Sequence, residues 1–115
     1  MDDNKTGAGN LFAGLASLPA DDEHFQEILA RPNLRIERIV SQGQSSPPGF
    51  WYEQAQAEWV LLVSGEARLR FEDEDAARRL RPGDHLLIAP RRRHRVDATA
   101  AGVPTVWLAV WFDES

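Results

Sequence analysis

The stretch Glu58-Trp59-Val60-Leu61-Leu62-Val63-Ser64-Gly65 decides the fold of this chain. Both alternating sets of side chains from 59 to 63 are apolar, which is typical of a β-strand that is covered on both faces. Gly65 allows a tight turn, and residues 67–71 then alternate between apolar and charged side chains. That alternation is the pattern of a strand with one face in water. The stretch therefore predicts two consecutive strands joined at a glycine.

Further strands are predicted on both sides of this pair. Arg81-Pro82-Gly83-Asp84 has the composition of a β-turn, because proline presets φ and glycine accepts a positive φ. Alternating or apolar runs predict strands at 34–39, 85–88, 95–98 and 105–112, and Phe50-Trp51-Tyr52 is predicted to open another. Many short strands separated by Gly/Pro turns predict an all-β fold, an antiparallel barrel or jelly roll, whose closure removes exposed sheet edges.

The region before the barrel has helical rather than strand-like spacing of its apolar residues. Residues 1–33 are predicted to form an N-terminal extension, and residues 34–115 the barrel domain. An aspartate at 21 or 22 can cap a short helix that ends before Pro32, with His24 facing solvent. The apolar residues of this helix follow helical spacing: Phe25, Ile28 and Leu29. A helix of this length is unstable alone, so we expect it to pack on the barrel.

Composition favours a single globular domain and excludes several classes of function. The 115 residues, 43% of them hydrophobic, suffice for one core but not for two domains. No apolar run approaches the roughly 20 residues of a membrane span, and a net charge of -5 opposes general nucleic-acid binding. We therefore expect neither a membrane nor a nucleic-acid partner. The lack of cysteine and of an export-type segment favours the cytoplasm.

Two segments resemble the sequence motifs of the cupin superfamily. The first family motif carries two histidines, then a glutamate, six residues and a glycine, and Glu58 and Gly65 match its second half. The second motif runs from a glycine through a proline to a histidine. Gly83 and His94 match its ends, with Pro90 one place later than in the family. The region around residues 46–59 is similar to small bacterial single-domain cupins. The resemblance implies a cupin barrel.

The chain departs from the family at the histidine pair, whose places hold other residues: Trp51, Tyr52, Glu53 and Gln54. A cupin-type divalent metal such as Fe, Mn, Ni or Zn needs imidazole and carboxylate ligands that converge on one point. Glu58 and His94 supply one of each. We predict a metal site with Glu58 and His94 as ligands, which Glu53 or Gln54 completes in place of the missing histidines; Gln56 is an alternative substitute.

The alternatives for these residues are structural. Period-two geometry puts Glu58 on the same strand face as Val60 and Leu62, pointing inward. A buried carboxylate is costly unless it is paired, so Glu58 needs either a metal or an arginine. His94 can instead form a hydrogen bond across the barrel to Glu58, and His85 is expected at the surface or in a dimer contact.

A small-molecule ligand is the expected partner, with ligand-binding residues Tyr52, Trp51, Gln56 and Arg92. Aromatic residues can line an apolar pocket, but they also dominate cores and dimer interfaces; the candidates are Trp51, Tyr52, Trp59, Trp107 and Trp111. The basic cluster Arg91–Arg93 with Arg95 can bind a carboxylate or phosphate. It can equally be a solvated turn that balances nearby acids.

Two functions remain open at this point. The first is a metal-dependent enzyme, such as a dioxygenase, isomerase or lyase, that acts on an unidentified small molecule. The second is a metal-free binding or sensing domain that holds a small ligand in the barrel without catalysis. A purely structural role is a third alternative, and we expect a homodimer in each case.

Overall fold

Residues 7–114 are described by a computed structural model, and across this range the chain forms eight β-strands and one 3₁₀ turn at Leu15–Ser17. The strands, in chain order, are β1 (His24–Arg31), β2 (Leu34–Ser41), β3 (Ala57–Ser64), β4 (Ala67–Phe71), β5 (Arg78–Leu80), β6 (His85–Ile88), β7 (His94–Thr99) and β8 (Thr105–Phe112).

The strands form two antiparallel sheets that pack against each other around one core. One sheet has the order β1-β2-β8-β3-β6 and the other the order β5-β4-β7. Buried apolar side chains from both sheets meet between them, among them Val60, Leu62, Leu69, Phe71, Ile88 and Trp107. The predicted all-β architecture is therefore confirmed.

β3 is the strand that places the candidate site. It lies between β8 and β6, so its backbone is hydrogen-bonded on both sides. Glu58, Val60 and Leu62 are buried on one face of the strand. On the other face Ala57, the first residue of the strand, is also buried, whereas the later residues are partly exposed. Because successive side chains point to opposite faces of a strand, the register that buries Val60 also turns Glu58 inward.

The Gly65 turn between β3 and β4 brings the backbone unusually close to a neighbouring strand. Gly65 has a φ of 88°, and a Cβ added there would lie 2.6 Å from the Cα of Thr105 in β8. Glycine is therefore required at this turn both for its conformation and for its size. Gly83, with a φ of 96°, occupies the second predicted turn, but there the space around the Cα is open.

The predicted helix before Pro32 is wrong, because residues 24–31 form strand β1. β1 pairs with β2 in an antiparallel hairpin whose two-residue turn is Pro32-Asn33. A bulge between Glu27 and Leu29 shifts the register, and this extra residue gives the apolar positions their helix-like spacing. Pairing with β2 satisfies the backbone hydrogen-bonding groups of residues 24–31, and a short isolated helix in their place would be only marginally stable. The division at residue 33 stays a prediction, although β1 and β2 pair across it.

The strand predicted to open at Phe50-Trp51-Tyr52 is also largely wrong. In this stretch only Tyr52 forms a β-bridge, with His94, and β3 begins at Ala57. The prolines before it and the turn at Gly49 keep the segment irregular.

Candidate functional site

A cavity of about 280 Å³ lies between the two sheets, and its wall includes both Glu58 and His94. Four strands of the larger sheet and one of the smaller sheet contribute polar or aromatic side chains to it, together with the segment that precedes β3. The aromatic part of the wall consists of Phe25, Tyr52, Trp107 and Trp111. The cavity therefore combines an apolar surface with a few polar groups, as small-molecule sites commonly do.

Glu58 supplies the most deeply buried carboxyl group of this wall. The residue is only 5% exposed, and the amide Nε2 of Gln54 donates a hydrogen bond of 2.9 Å to its Oε1. Burial raises the pKa of Glu58 from 4.5 to about 7, and the hydrogen bond from Gln54 only partly opposes this effect. At neutral pH this carboxyl group therefore exists in both protonation states.

His94 lies opposite Glu58 and is also almost completely buried. Its Nδ1 is 2.9 Å from the carbonyl oxygen of Arg92; since a carbonyl only accepts, Nδ1 carries the hydrogen. In the neutral ring Nε2 is then left as an acceptor, 3.7 Å from Oε1 of Glu58. Burial lowers the pKa of His94. The two groups are neighbours, but this distance exceeds that of a direct hydrogen bond.

Backbone hydrogen bonds hold the segment before β3 against the start of β7. Tyr52 N donates to His94 O at 2.7 Å, and His94 N donates to Tyr52 O at 3.1 Å. Arg91 N donates to Gln54 O at 2.7 Å, with Arg91 in a left-handed conformation at φ 66°. These bonds place Tyr52, Gln54 and His94 on one side of the cavity, where the rings of Tyr52 and His94 stack with centroids 5.6 Å apart.

A family model for the cupin domain matches residues 37–111, well over half of the chain. The chain belongs to the cupin family. It is 53% identical to the crystal structure of a provisionally named mannose-6-phosphate isomerase from Ralstonia eutropha JMP134, with a TM-score of 0.88 over 93% of this chain and 98% of that one. No match is found among the curated proteins.

More distant solved structures show the same fold. A cupin superfamily protein from Desulfitobacterium hafniense DCB-2 has 19% identity and a TM-score of 0.70, over 87% of this chain and 88% of that one. A DMSP lyase from Ruegeria pomeroyi DSS-3 has 20% identity and a TM-score of 0.68, over 82% of this chain and 48% of that one. Within residues 7–114, no helix has the length and apolarity needed to cross a membrane.

The cupin cavity brings together half of the predicted site residues. Glu58, His94, Gln54 and Tyr52 all line it. Their roles in binding stay predictions, since their positions show only that they share one wall.

The other four predicted residues lie outside the cavity wall, where they make surface contacts. Glu53 is 3.6 Å from Arg93 in an exposed ion pair, and Gln56 donates a hydrogen bond to Asp113. Trp51 lies against the guanidinium groups of two arginines. Arg92 stacks over Phe71 at 3.5 Å and pairs with acidic residues of the 72–75 turn. Three of these residues lie in the irregular segment between β2 and β3, and Arg92 lies in the turn between β6 and β7, so strand alternation does not predict where their side chains point.

Three further charged residues line the cavity and were not predicted from the sequence. Arg35 and Glu37 lie on β2 and approach each other to 3.4 Å. Glu23, just before β1, accepts a hydrogen bond of 2.6 Å from Ser41. The signal for the first two was present, because Arg35, Glu37 and Ile39 share one face of an alternating strand.

The donor set of this cupin does not fit a resident divalent metal. Among residues 7–114 no three His, Cys, Asp or Glu side chains lie close enough together to hold an ion. Glu58 and His94 are near each other, but the adjacent Gln54 directs its amide Nε2, which is not a metal ligand, at Glu58. Stable divalent sites in proteins usually have at least three protein ligands.

Proposed function

We propose that this cupin domain binds a small organic molecule in the cavity between its sheets, with Glu58 and His94 as the polar contacts. The observation that carries the proposal is a nearly fully buried, titratable carboxyl group in the wall of a 280 Å³ cavity. Burying such a group costs free energy, and a ligand that forms a hydrogen bond to it offsets that cost.

The paired groups suit proton transfer to or from a bound molecule. Glu58 has a pKa of about 7, which is the range in which a carboxyl group both donates and accepts protons at neutral pH. The acceptor Nε2 of His94 lies 3.7 Å away. A hydroxyl or amine bound beside both groups would accept a hydrogen bond from protonated Glu58 and donate one to Nε2 of His94. If the protein is an enzyme, we therefore propose acid–base catalysis by Glu58.

The named activity of the Ralstonia relative suggests one specific substrate class, sugar phosphates. Isomerising a sugar phosphate moves a proton between neighbouring carbons, for which a carboxylate base is suitable. However, the cavity wall contains three glutamates and a single arginine, Arg35. Phosphate sites normally present several cationic or backbone N–H donors, so this class is a test ligand rather than our preferred one.

Ligand binding is tested by thermal shift followed by calorimetric titration with neutral sugars, amines and sugar phosphates. A true ligand raises the melting temperature of the wild type, and Glu58→Gln reduces its affinity. Asp75→Asn, which also replaces a carboxyl group but in an exposed turn, should leave the affinity unchanged. If no compound in the panel shifts the melting temperature, or if both variants bind as well as the wild type, the proposal fails.

The metal site predicted from the sequence gives the alternative, a metal-assisted form, in which Nε2 of His94 and the carboxyl group of Glu58 would be the ligands, although two ligands are too few for a stable site. Metal analysis of protein purified without chelator, and again after soaking in Fe(II), Mn(II), Ni(II) or Zn(II), distinguishes the two forms. The metal-free proposal predicts less than one ion per chain that is retained after dialysis. A stoichiometric ion that His94→Asn abolishes would overturn it in favour of the metal-assisted form.

A further inference from the structure

We propose that the ligand of this cavity is a small organic cation, such as a primary amine or a quaternary ammonium compound. This inference rests on the proposed function and specifies the charge of its ligand. Two features of the cavity wall support the inference: its carboxyl groups outnumber its basic groups, and several of its residues are aromatic.

The charged groups of the wall leave an excess of negative charge. Glu23, Glu37 and Glu58 line the cavity, whereas Arg35 is its only guanidinium group. Glu37 lies 3.4 Å from Arg35 and offsets part of its charge, so among the described residues of the wall the carboxylates outnumber the cations when Glu58 is ionised. Among the described residues, the hydrogen-bond donor to Glu23 is the neutral hydroxyl of Ser41. Charges interact more strongly in such partly desolvated places than in water, so this excess favours a cationic ligand over an anionic one.

Glu58 retains the capacity to accept a hydrogen bond from such a ligand. Both its contact with Gln54 and its approach to His94 involve Oε1, and no described residue donates to Oε2. Burial is the main cause of the raised pKa of Glu58; the hydrogen bond from Gln54 lowers this pKa, and the charges of Glu37 and Arg35 act on it in opposite directions. A cation bound beside Glu58 would favour its ionised form.

The aromatic residues of the wall suit a cation as well. Tyr52, Trp107 and Trp111 line the cavity, and aromatic faces attract organic cations. The protein already contains one such contact, because the guanidinium of Arg35 lies 5.0 Å from the centroid of the Trp111 ring. An aromatic wall with carboxylates nearby is the combination that recognises ammonium groups.

Three compounds of similar shape test the sign of the charge: choline, its uncharged carbon analogue dimethylbutanol, and the anion dimethylbutyrate. In calorimetric titrations we expect choline to bind about tenfold more tightly than dimethylbutanol, and dimethylbutyrate to bind most weakly. Ethanolamine, a primary amine, is titrated in parallel because the cavity size does not by itself select between the two ammonium types.

Charge variants locate the effect in the cavity. Glu23→Gln removes a carboxylate but keeps an acceptor for Ser41, and should weaken choline binding about threefold or more. Arg35→Gln should strengthen it. Glu27→Gln makes the same charge change on β1 outside the cavity wall and should have little effect. Circular dichroism melts show whether each variant folds.

The outcomes separate this inference from the proposed function. If dimethylbutanol or dimethylbutyrate binds as tightly as both cations, or if Glu23→Gln and Glu27→Gln weaken choline equally, the cation inference is wrong while ligand binding stands. The same holds if only neutral sugars or sugar phosphates bind. If none of these compounds binds, the cation inference and the proposed function fail together.

Discussion

Glu58 couples the stability of the fold to pH through a single side chain. Its pKa is raised from 4.5 to about 7, first by burial and then by Glu37. Below about pH 4.5 both the folded and the unfolded chain carry the proton, so this group adds no pH dependence to stability there. Between the two pKa values only the folded chain retains it. The unfolded state therefore binds fewer protons, and stability falls as pH rises through this window.

Replacing Glu58 by glutamine should remove this dependence. We expect the free energy of unfolding of the wild type, relative to Glu58→Gln, to fall by about 2 kcal/mol between about pH 5 and about pH 8. Urea unfolding at both pH values measures the difference, and the contribution of His94 largely cancels in it. Asp75→Asn is the control, whose difference from the wild type should stay constant. A pH-independent difference for Glu58→Gln would contradict the assigned pKa.

The inward direction of Glu58 was predictable from the sequence, whereas its neighbouring side chains in the cavity wall were only partly predictable. Strand alternation places Glu58 on the face of Val60 and, by the same rule, Glu37 on the face of Ile39. Gln54 and Glu53 are neighbours in an irregular segment, and only one of them lines the cavity. The hydrogen bond from Arg91 N to Gln54 O fixes that segment, and it joins residues that are distant in the sequence.

At the scale of elements, the turns after β3 and after β5 show two different uses of glycine. Gly65 and Gly83 both have positive φ. Only Gly65 faces a neighbouring backbone, at Thr105 of β8, and Thr105 is fully buried. The first turn is therefore limited by space as well as by conformation, and the second by conformation alone.

Alanine at each position should separate these effects. We expect Gly65→Ala to lower the free energy of unfolding by about 2–4 kcal/mol, since left-handed strain and the displacement of Thr105 both contribute. Gly83→Ala should cost about 1 kcal/mol from strain alone. Urea denaturation of both variants measures the two losses. Equal losses would show that the β8 backbone moves aside freely.

β1 is the element for which local sequence was least informative. Its apolar residues Phe25, Ile28 and Leu29 have helical spacing, but the bulge between Glu27 and Leu29 produces this spacing within a strand. Pro32, which was predicted to end a helix, instead lies in the two-residue turn of the β1–β2 hairpin. Strand β3, by contrast, was predictable because its apolar run, its length and the following glycine agree.

At the scale of the whole molecule, β1 is the exposed edge of the five-stranded sheet. Phe25 is 59% and Ile28 49% exposed. The sheet also ends at β1, so the outer backbone groups of this strand have no neighbouring strand to pair with. Exposed apolar edge strands favour association with another chain. The homodimer expected from the sequence stays a prediction, and β1 is where we expect its interface.

A lysine on this edge should therefore produce a monomer. We expect the wild type to be dimeric in light scattering coupled to size-exclusion chromatography, and Ile28→Lys to be monomeric with a similar fold, because a lysine on an edge opposes strand association. Leu87→Lys alters an equally exposed leucine on β6, the opposite edge of the sheet, and should leave the dimer intact. A monomeric wild type, or dissociation only by Leu87→Lys, would contradict the assignment.

The reciprocal bridge between Tyr52 and His94 links the opening of the cavity wall to the unfolding of a strand. Their amides are bonded to each other's carbonyls, so the segment at Tyr52 cannot detach without exposing the start of β7. In native-state hydrogen exchange, the amides of Tyr52 and His94 should therefore exchange with similar protection and similar denaturant dependence. Faster exchange of Tyr52 alone would reveal a segment that opens independently. Shared protection would mean that the cavity wall at Tyr52 opens only together with the start of β7.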